Sequence, residues 1–206
     1  MKTFLAIVAV LAIAAPPAAN ALYLDFTKDD PWADADLKKQ YLFQDIEPGL
    51  DLLIEGYYGN KRKKITHNWP DKPELGLDGF GIKGQYQNDE VDPYEYLTLT
   101  FSEPVRIIST YLSDLYGPEQ AEIKFDGITR TGPAYGVPNG YVVLSFGSGI
   151  IAREVEYWCL DLPVPDYNDY SVAGIGYVRQ SIPEPATALM VGLGLMFVGL
   201  LRRRVR

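Results

Sequence analysis

The sequence predicts a mainly β protein, an antiparallel β-sandwich of jelly-roll type, and two observations carry that expectation. The stretch Glu95-Tyr96-Leu97-Thr98-Leu99-Thr100-Phe101 alternates strictly, with Leu97, Leu99 and Phe101 on one face and Tyr96, Thr98 and Thr100 on the other. A period of two with β-branched and aromatic residues marks a strand buried on one side. Shorter apolar runs follow at Val105 to Leu112, Ala121 to Phe125, Tyr141 to Phe146, Ile150 to Leu160 and Ser171 to Val178, divided by Gly/Pro/Asn clusters. Strands at that rhythm, separated by turn chemistry, describe a sandwich.

The breaks define the elements. Pro104 is expected to end the first strand, because proline cannot donate to a ladder. Asp126-Gly127, Pro138-Asn139-Gly140 and Gly147-Ser148-Gly149 are expected turns. Of these, Asn139-Gly140 is expected to close a hairpin, since Asn-Gly accepts the two positive φ angles of a type I′ turn. Upstream, Leu22 to Phe26 and Leu50 to Tyr58 read as strands. Pro31 to Tyr41 reads as a short surface helix, with Asp29 or Asp30 as its N-cap and Pro31 at its first position. Asn60 to Gly84, rich in Gly and Pro, reads as a long irregular excursion.

The N-terminus sets the compartment. Lys2 precedes an apolar run from Phe4 to Ala15, Pro16 and Pro17 break it, and Ala19-Asn20-Ala21 offers small residues at both positions that signal peptidase inspects. That is the pattern of a secretory signal peptide cleaved after Ala21. The expected organisation is a signal peptide over 1–21, a β-sandwich domain over 22–180 and a terminal segment over 181–206.

Between Leu22 and Ile182 there are 14 Lys and Arg against 26 Asp and Glu, a net charge of −12 compared with −8 for the whole chain. This argues against nucleic acid as a partner, because neutralising phosphates needs clustered basic residues. The one basic run, Lys61-Arg62-Lys63-Lys64, reads as a solvated loop. Catalytic chemistry is not indicated. His67 is the only histidine, so a two-histidine zinc motif is excluded. It lies in a stretch expected to be an exposed loop, with no G-x-S-x-G elbow elsewhere. Cys159 is the only cysteine, so no intrachain disulfide forms, and it sits in an apolar stretch suited to a buried thiol. No catalytic residue is therefore assigned.

Two groups suggest binding. Asn88, Asp89, Glu90 and Asp92 gather oxygen donors just before the best strand. Ca²⁺ takes six to eight such ligands, and a solvated turn is the alternative. No other cofactor is indicated. Tyr57, Tyr58 and Trp69 flank expected loops, where aromatic faces can stack on sugar rings, against the ordinary enrichment of aromatics in strands.

The terminal segment is built in three parts. Pro183-Glu184-Pro185 is held extended by its prolines. Ala186 to Leu201 is apolar but only sixteen residues long. As a helix it reaches about 24 Å, against a hydrocarbon core of ~30 Å. Arg202, Arg203, Arg204 and Arg206 follow and stay cytoplasmic by the positive-inside tendency. The expectation is a short transmembrane helix with its N-terminal side outside.

Ile182-Pro183-Glu184-Pro185-Ala186-Thr187, the Gly-containing apolar segment and the Arg cluster together resemble the PEP-CTERM sorting signal of Gram-negative bacteria. The resemblance implies an inner-membrane exosortase that recognises Pro183-Glu184-Pro185, cleaves nearby and releases or transfers the exported domain, much as a GPI signal is removed. It also implies an association with exopolysaccharide and biofilm. The domain itself is similar to a recurrent type among such substrates, on Gly79-Phe80-Gly81-Ile82, Asn88 to Asp92, Glu95 to Phe101, Pro104-Val105 and Asp169 to Ile175. That likeness implies a β-sandwich without an established activity. The expected function is a non-enzymatic exported surface or matrix protein; a carbohydrate-binding module, with or without Ca²⁺, is the alternative, and a polysaccharide hydrolase is a third.

Overall fold

A computed structural model describes residues 20–28, 31–67, 79–83, 90–129, 131–160 and 169–179. Residues Asn20–Gln180 form one compact unit. The strands in chain order are β1 (Leu22–Asp25), β2 (Gln40–Glu47), β3 (Leu50–Tyr58), β4 (Lys61–His67), β5 (Phe80–Lys83), β6 (Glu95–Ser113), β7 (Gln120–Phe125), β8 (Ile128–Thr129), β9 (Ala134–Tyr135), β10 (Val142–Cys159) and β11 (Ser171–Arg179). The protein is mainly β, as expected, and the strand pairings are antiparallel. They form one sheet in the order β1-β11-β5-β4-β3-β6-β10-β7-β8, with β2 added to β3 and β9 to β7. A further pairing of β11 with β6 closes the sheet on itself in the manner of a barrel.

The closure depends on β6, which is 19 residues long and changes neighbour midway. Its first half pairs with β3, from Tyr58↔Glu95 to Leu52↔Phe101. Its second half pairs with β11, from Arg179↔Val105 to Ser171↔Ser113. Pro104 falls between the two, where no ladder partner is needed, so it does not end the strand as expected. β10 runs along the opposite edge of β6 and accommodates the corner with a register shift between Ala152 and Glu154. A second shift between Ser145 and Ile150 absorbs Gly147-Ser148-Gly149, so the two expected strands there are one bulged strand. Corner strands of this kind let a single sheet turn through bulges and bends.

The bulges reset the inward face. In β6, Leu97, Leu99, Phe101, Val105 and Ile107 are fully buried, and then burial moves to Thr110 and Leu112. The change of parity comes at Ile108, which is skipped where Gly176↔Ser109 gives way to Tyr177↔Ile107. In β10 the same change separates Ala152 from Val155 and Tyr157. The interior is otherwise continuous, with Leu52 and Ile54 of β3, Ile82 of β5, Ile123 of β7 and Ile175 of β11. Within it, the hydroxyls Thr110 Oγ1 and Tyr157 Oη lie 2.8 Å apart, and Thr110 Oγ1 donates to the Gly174 carbonyl at 3.2 Å.

Two-residue turns set several registers. Asp126 and Gly127 both have positive φ, +50° and +72°, between the paired residues Phe125 and Ile128. This is the type I′ arrangement, found here and not at Asn139-Gly140. The Val137 carbonyl accepts from Gly140 N at 2.9 Å, making a turn with Pro138 second. Only Gly140 in that turn has positive φ, and the strands on either side, β9 and β10, pair with β7 and β6.

The expected helix over Pro31 to Tyr41 is a single 3-10 turn, Trp32–Ala35, with Pro31 at the N-cap. Packing explains the difference. Trp32 and Ala35 are both buried, and Trp32 meets Phe26 and Phe43 edge-on at 4.8 Å each. Leu37 then has φ +57°, and the chain leaves helical space to enter β2. The expected excursion over Asn60 to Gly84 contains β4 and β5, so Lys61 to Lys64 belong to a strand and not to a loop. Among the described residues no helix is long and apolar enough to cross a membrane. The expected transmembrane helix and most of the signal peptide lie outside the described residues.

Candidate functional site

The chain enters and leaves the domain at one place. Ala21 is exposed and directly precedes β1, whose first residue, Leu22, pairs with Tyr177 near the end of β11. Ala19, Pro183, Glu184, Pro185, Arg202, Arg203, Arg204 and Arg206 lie outside the described residues. The last described residue before the terminal segment is Arg179, and it is fixed from three sides. Its Nε donates to Glu103 Oε1 at 2.6 Å, its Nη1 to the Pro48 carbonyl at 2.5 Å and its Nη2 to the Gly49 carbonyl at 3.5 Å. A strand end usually frays; this one is tied both to the β6 corner and to the β2–β3 turn.

The opposite end of the domain is acidic. Val91 N donates to the Tyr170 carbonyl at 2.8 Å, and Asp92 N donates to Glu95 Oε2 at 3.2 Å. Ser113, paired with Ser171, leads into Asp114. Glu90 and Asp92, expected as candidate ligands, are thereby brought together with Asp114, Glu119 and Asp169. Burial and the neighbouring carboxylates Asp169, Asp114 and Asp92 raise Glu90 well above the ordinary carboxyl range. It keeps its proton and donates a hydrogen bond to the carboxylate of Asp169, whose own value burial raises. Glu119 is pushed up to about 7 by burial, with Asp169 and Asp114 adding to the rise, although its carboxylate accepts the Tyr116 backbone N–H. No three His, Cys, Asp or Glu among the described residues converge to hold a metal ion. Asn88 and Asp89, the other two expected ligands, lie outside them.

Sequence reading missed Asp114, Glu119 and Asp169 at this end. Each stands within two residues of a strand terminus, after β6, before β7 and before β11 respectively. Only the closure of the sheet makes them neighbours of Glu90. Cys159 is buried in the same region. Burial and then Asp92, Asp169, Glu119 and Glu95 push its thiol far up, so it stays protonated and unreactive.

Tyr57 belongs to a ladder across the outer face of the sheet. Its ring stacks on Tyr96 at 4.8 Å and 7°, and Tyr96 stacks on Trp158 at 3.9 Å and 14°. The three are cross-strand partners on β3, β6 and β10. Arg62 lies over the Tyr57 ring at 6.0 Å and Lys124 over the Trp158 ring at 4.0 Å. The rings are thus stacked on one another and flanked by cations. Glu55 pairs with Arg62 at 2.5 Å, and Glu156 accepts from Trp158 Nε1 at 2.6 Å. Tyr58 is half-buried beneath Lys63, 5.4 Å from its ring. Trp69 lies outside the described residues.

His67 is not the exposed loop residue expected. It is buried in β4, where Nε2 donates to the Phe26 carbonyl at 2.8 Å and the ring lies 5.3 Å from Phe80. A histidine bound in this way to a backbone carbonyl is a core residue. The exposed loop expected there is a strand at this point, because Lys64 to His67 pair with Phe80 to Lys83.

No curated protein matches the chain. A solved structure of CBM32-1 from a family 31 glycoside hydrolase of Clostridium perfringens is similar, at 12% identity over 71% of this chain and 97% of that chain, with a TM-score of 0.32. Residues 181–204, which follow directly on the fixed end of β11, match the PEP-CTERM protein-sorting motif, and the chain carries that motif at its C-terminus.

Proposed function

We propose that the chain is an exported, exosortase-processed protein of the cell surface or extracellular matrix, whose β domain is non-enzymatic and associated with exopolysaccharide and biofilm. One observation carries this reading: the sorting motif over 181–204, placed immediately after a folded domain. A signal peptide cleaved after Ala21 sends the chain through the inner membrane. The apolar segment and Arg202 to Arg206 hold it there until exosortase acts at Pro183-Glu184-Pro185. The exported part is then the acidic domain alone, the order expected of a removable tail. Replacing Pro183, Glu184 and Pro185 by Ala in the native host tests it. The altered chain is expected to accumulate uncut in the membrane fraction; release equal to that of the native chain would overturn the reading.

A carbohydrate-binding module, with or without Ca²⁺, is the second reading, and the acidic end bears on its Ca²⁺-dependent form. Crowded carboxylates that hold protons at neutral pH are the condition a divalent cation relieves. Such a site needs donors from Asn88 and Asp89 in addition to Glu90 and Asp92. Calorimetry with Ca²⁺ on the exported domain tests the cation site: heat and a raised melting temperature support it, and the absence of both removes it.

A further inference from the structure

The domain gives the sorting motif almost no slack. Arg179 is paired with Val105 in the sheet and bonded through its side chain to Glu103, Pro48 and Gly49. Pro183 is four residues further on. Four residues span at most ~14 Å whatever their conformation. A protease that engages Pro183-Glu184-Pro185 must therefore work close against the end of the domain that carries Arg179. The same end carries the other processing junction, because Leu22 pairs with Tyr177. The acidic loops are remote from it, since β11 runs nine residues from Ser171 to Arg179, roughly 30 Å of strand.

The charge-assisted bonds of Arg179 oppose the obvious escape. Unzipping the end of β11 would lengthen the tether by ~3.4 Å per residue, but each step breaks both the ladder and the Arg179 bonds. The exit point is a built feature: two separate segments, the β2–β3 turn and the β6 corner, meet on one side chain.

We propose that this end of the domain, made of Leu22, the Pro48-Gly49 turn, Glu103 and Arg179, is a docking surface for the membrane-embedded peptidase that processes the chain. The folded domain then takes part in recognition together with the motif. The inference rests on the sorting reading above. Two linked contacts bind more tightly than either alone, and the gain falls as the linker between them lengthens beyond the distance it must span.

The test uses the full-length chain in its native host, with flexible Gly-Ser inserts of about five, ten and fifteen residues placed between Gln180 and Ser181. Conversion of precursor to product is followed by pulse-chase, and the melting temperature of each released domain is measured. The inserts lie outside the domain, so the melting temperature is expected to stay unchanged while conversion slows progressively, several-fold at the longest insert. Conversion as fast as native, or faster, would overturn the proposal by showing the domain to be a passenger or an obstacle. A native chain that stays uncut would take down the sorting reading and this inference together, whereas equal conversion of native and lengthened chains takes down the inference alone.

Discussion

Arg179 donates from Nε to Glu103 Oε1 at 2.6 Å, joining the last residue of β11 to the corner of β6, 76 positions earlier in the chain. The pair lies where the sheet turns, beside the Pro48 and Gly49 carbonyls that Arg179 also holds. The Arg179 side chain is 34% exposed, so solvent screening discounts the ionic part of the contact.

Arg179→Ala is expected to lower stability by about 1 kcal/mol, the order of one charge-assisted hydrogen bond partly open to water. Denaturant unfolding of the exported domain measures the loss. Hydrogen exchange is expected to quicken first at Val178 and Arg179, before the rest of β11. Uniform exchange along β11 would show that the clamp does not localise the effect.

Asp126 serves two purposes at once. It supplies a positive φ to the turn between β7 and β8, and its Oδ1 accepts from Arg153 N at 2.9 Å and Glu154 N at 3.0 Å. Those amides belong to the register shift of β10. Asp126→Ala is expected to cost about 2 kcal/mol by leaving both without their acceptor and straining the turn. Asp126→Asn keeps an oxygen and tolerates the backbone angle, so it is expected to cost clearly less. Equal losses for the two variants would contradict the hydrogen-bonding account.

Tyr96 is the middle rung of the aromatic ladder, and its removal parts Tyr57 from Trp158. Tyr96→Ala is expected to destabilise by about 3 kcal/mol, the cost of truncating a large packed ring. Tyr57→Ala, at the end of the row, is expected to cost less than half of that. A matching decline of the near-ultraviolet circular dichroism in Tyr96→Ala checks the stacking; an unchanged spectrum would rule it out.

The acidic end makes stability fall as pH rises. Glu119 titrates at about 7 in the fold against an ordinary value of 4.5, so between those values the folded state holds a proton that the unfolded chain has lost. Its contribution is full below the lower value and is lost by the upper one. Glu119→Gln is expected to melt like the native domain near pH 4 and at a higher temperature near pH 8, with a flatter profile between. Glu90→Gln acts in the same direction and extends to higher pH, because Asp169 and the other carboxylates raise Glu90 further. A variant that melts lower than native at pH 8 would contradict this sign.

What was legible in the sequence was local. Strict alternation in Glu95 to Phe101 placed Leu97, Leu99 and Phe101 in the interior, where all three are fully buried. The mainly β class followed from the same signal. The two ends of the chain are read from linear motifs, and the PEP-CTERM resemblance rests on consecutive residues, so it needs no fold to be seen. What was not legible depends on closure. β4 carries three lysines and an arginine with apolar residues only at its far end, and no periodicity marks it as a strand. Its pairing with β3 and β5 makes it one, and it buries His67 against Phe26 and Phe80. Proline and glycine punctuation misled at Pro104 and at Gly147 to Gly149, because bends and bulges inside long strands use the same residues as turns between short ones.

The candidate sites divide in the same way. Glu90 and Asp92 were visible as a cluster, but Asp169 lies far away in sequence and reaches Glu90 only because β11 closes against β6. Tyr57 was visible as an aromatic near a turn. Its partners, Tyr96 and Trp158, are set by cross-strand register, and that register turns isolated rings into a self-stacked row.

On the proposed reading both ends of the chain are removed, and the acidic domain between them is the exported product. Intact-mass spectrometry of the protein recovered from its native host tests this most directly. The mature chain is expected to begin at Leu22 and to lack Arg202 to Arg206, cut near Pro183-Glu184-Pro185. A mature protein that still ends in Arg206 would contradict it.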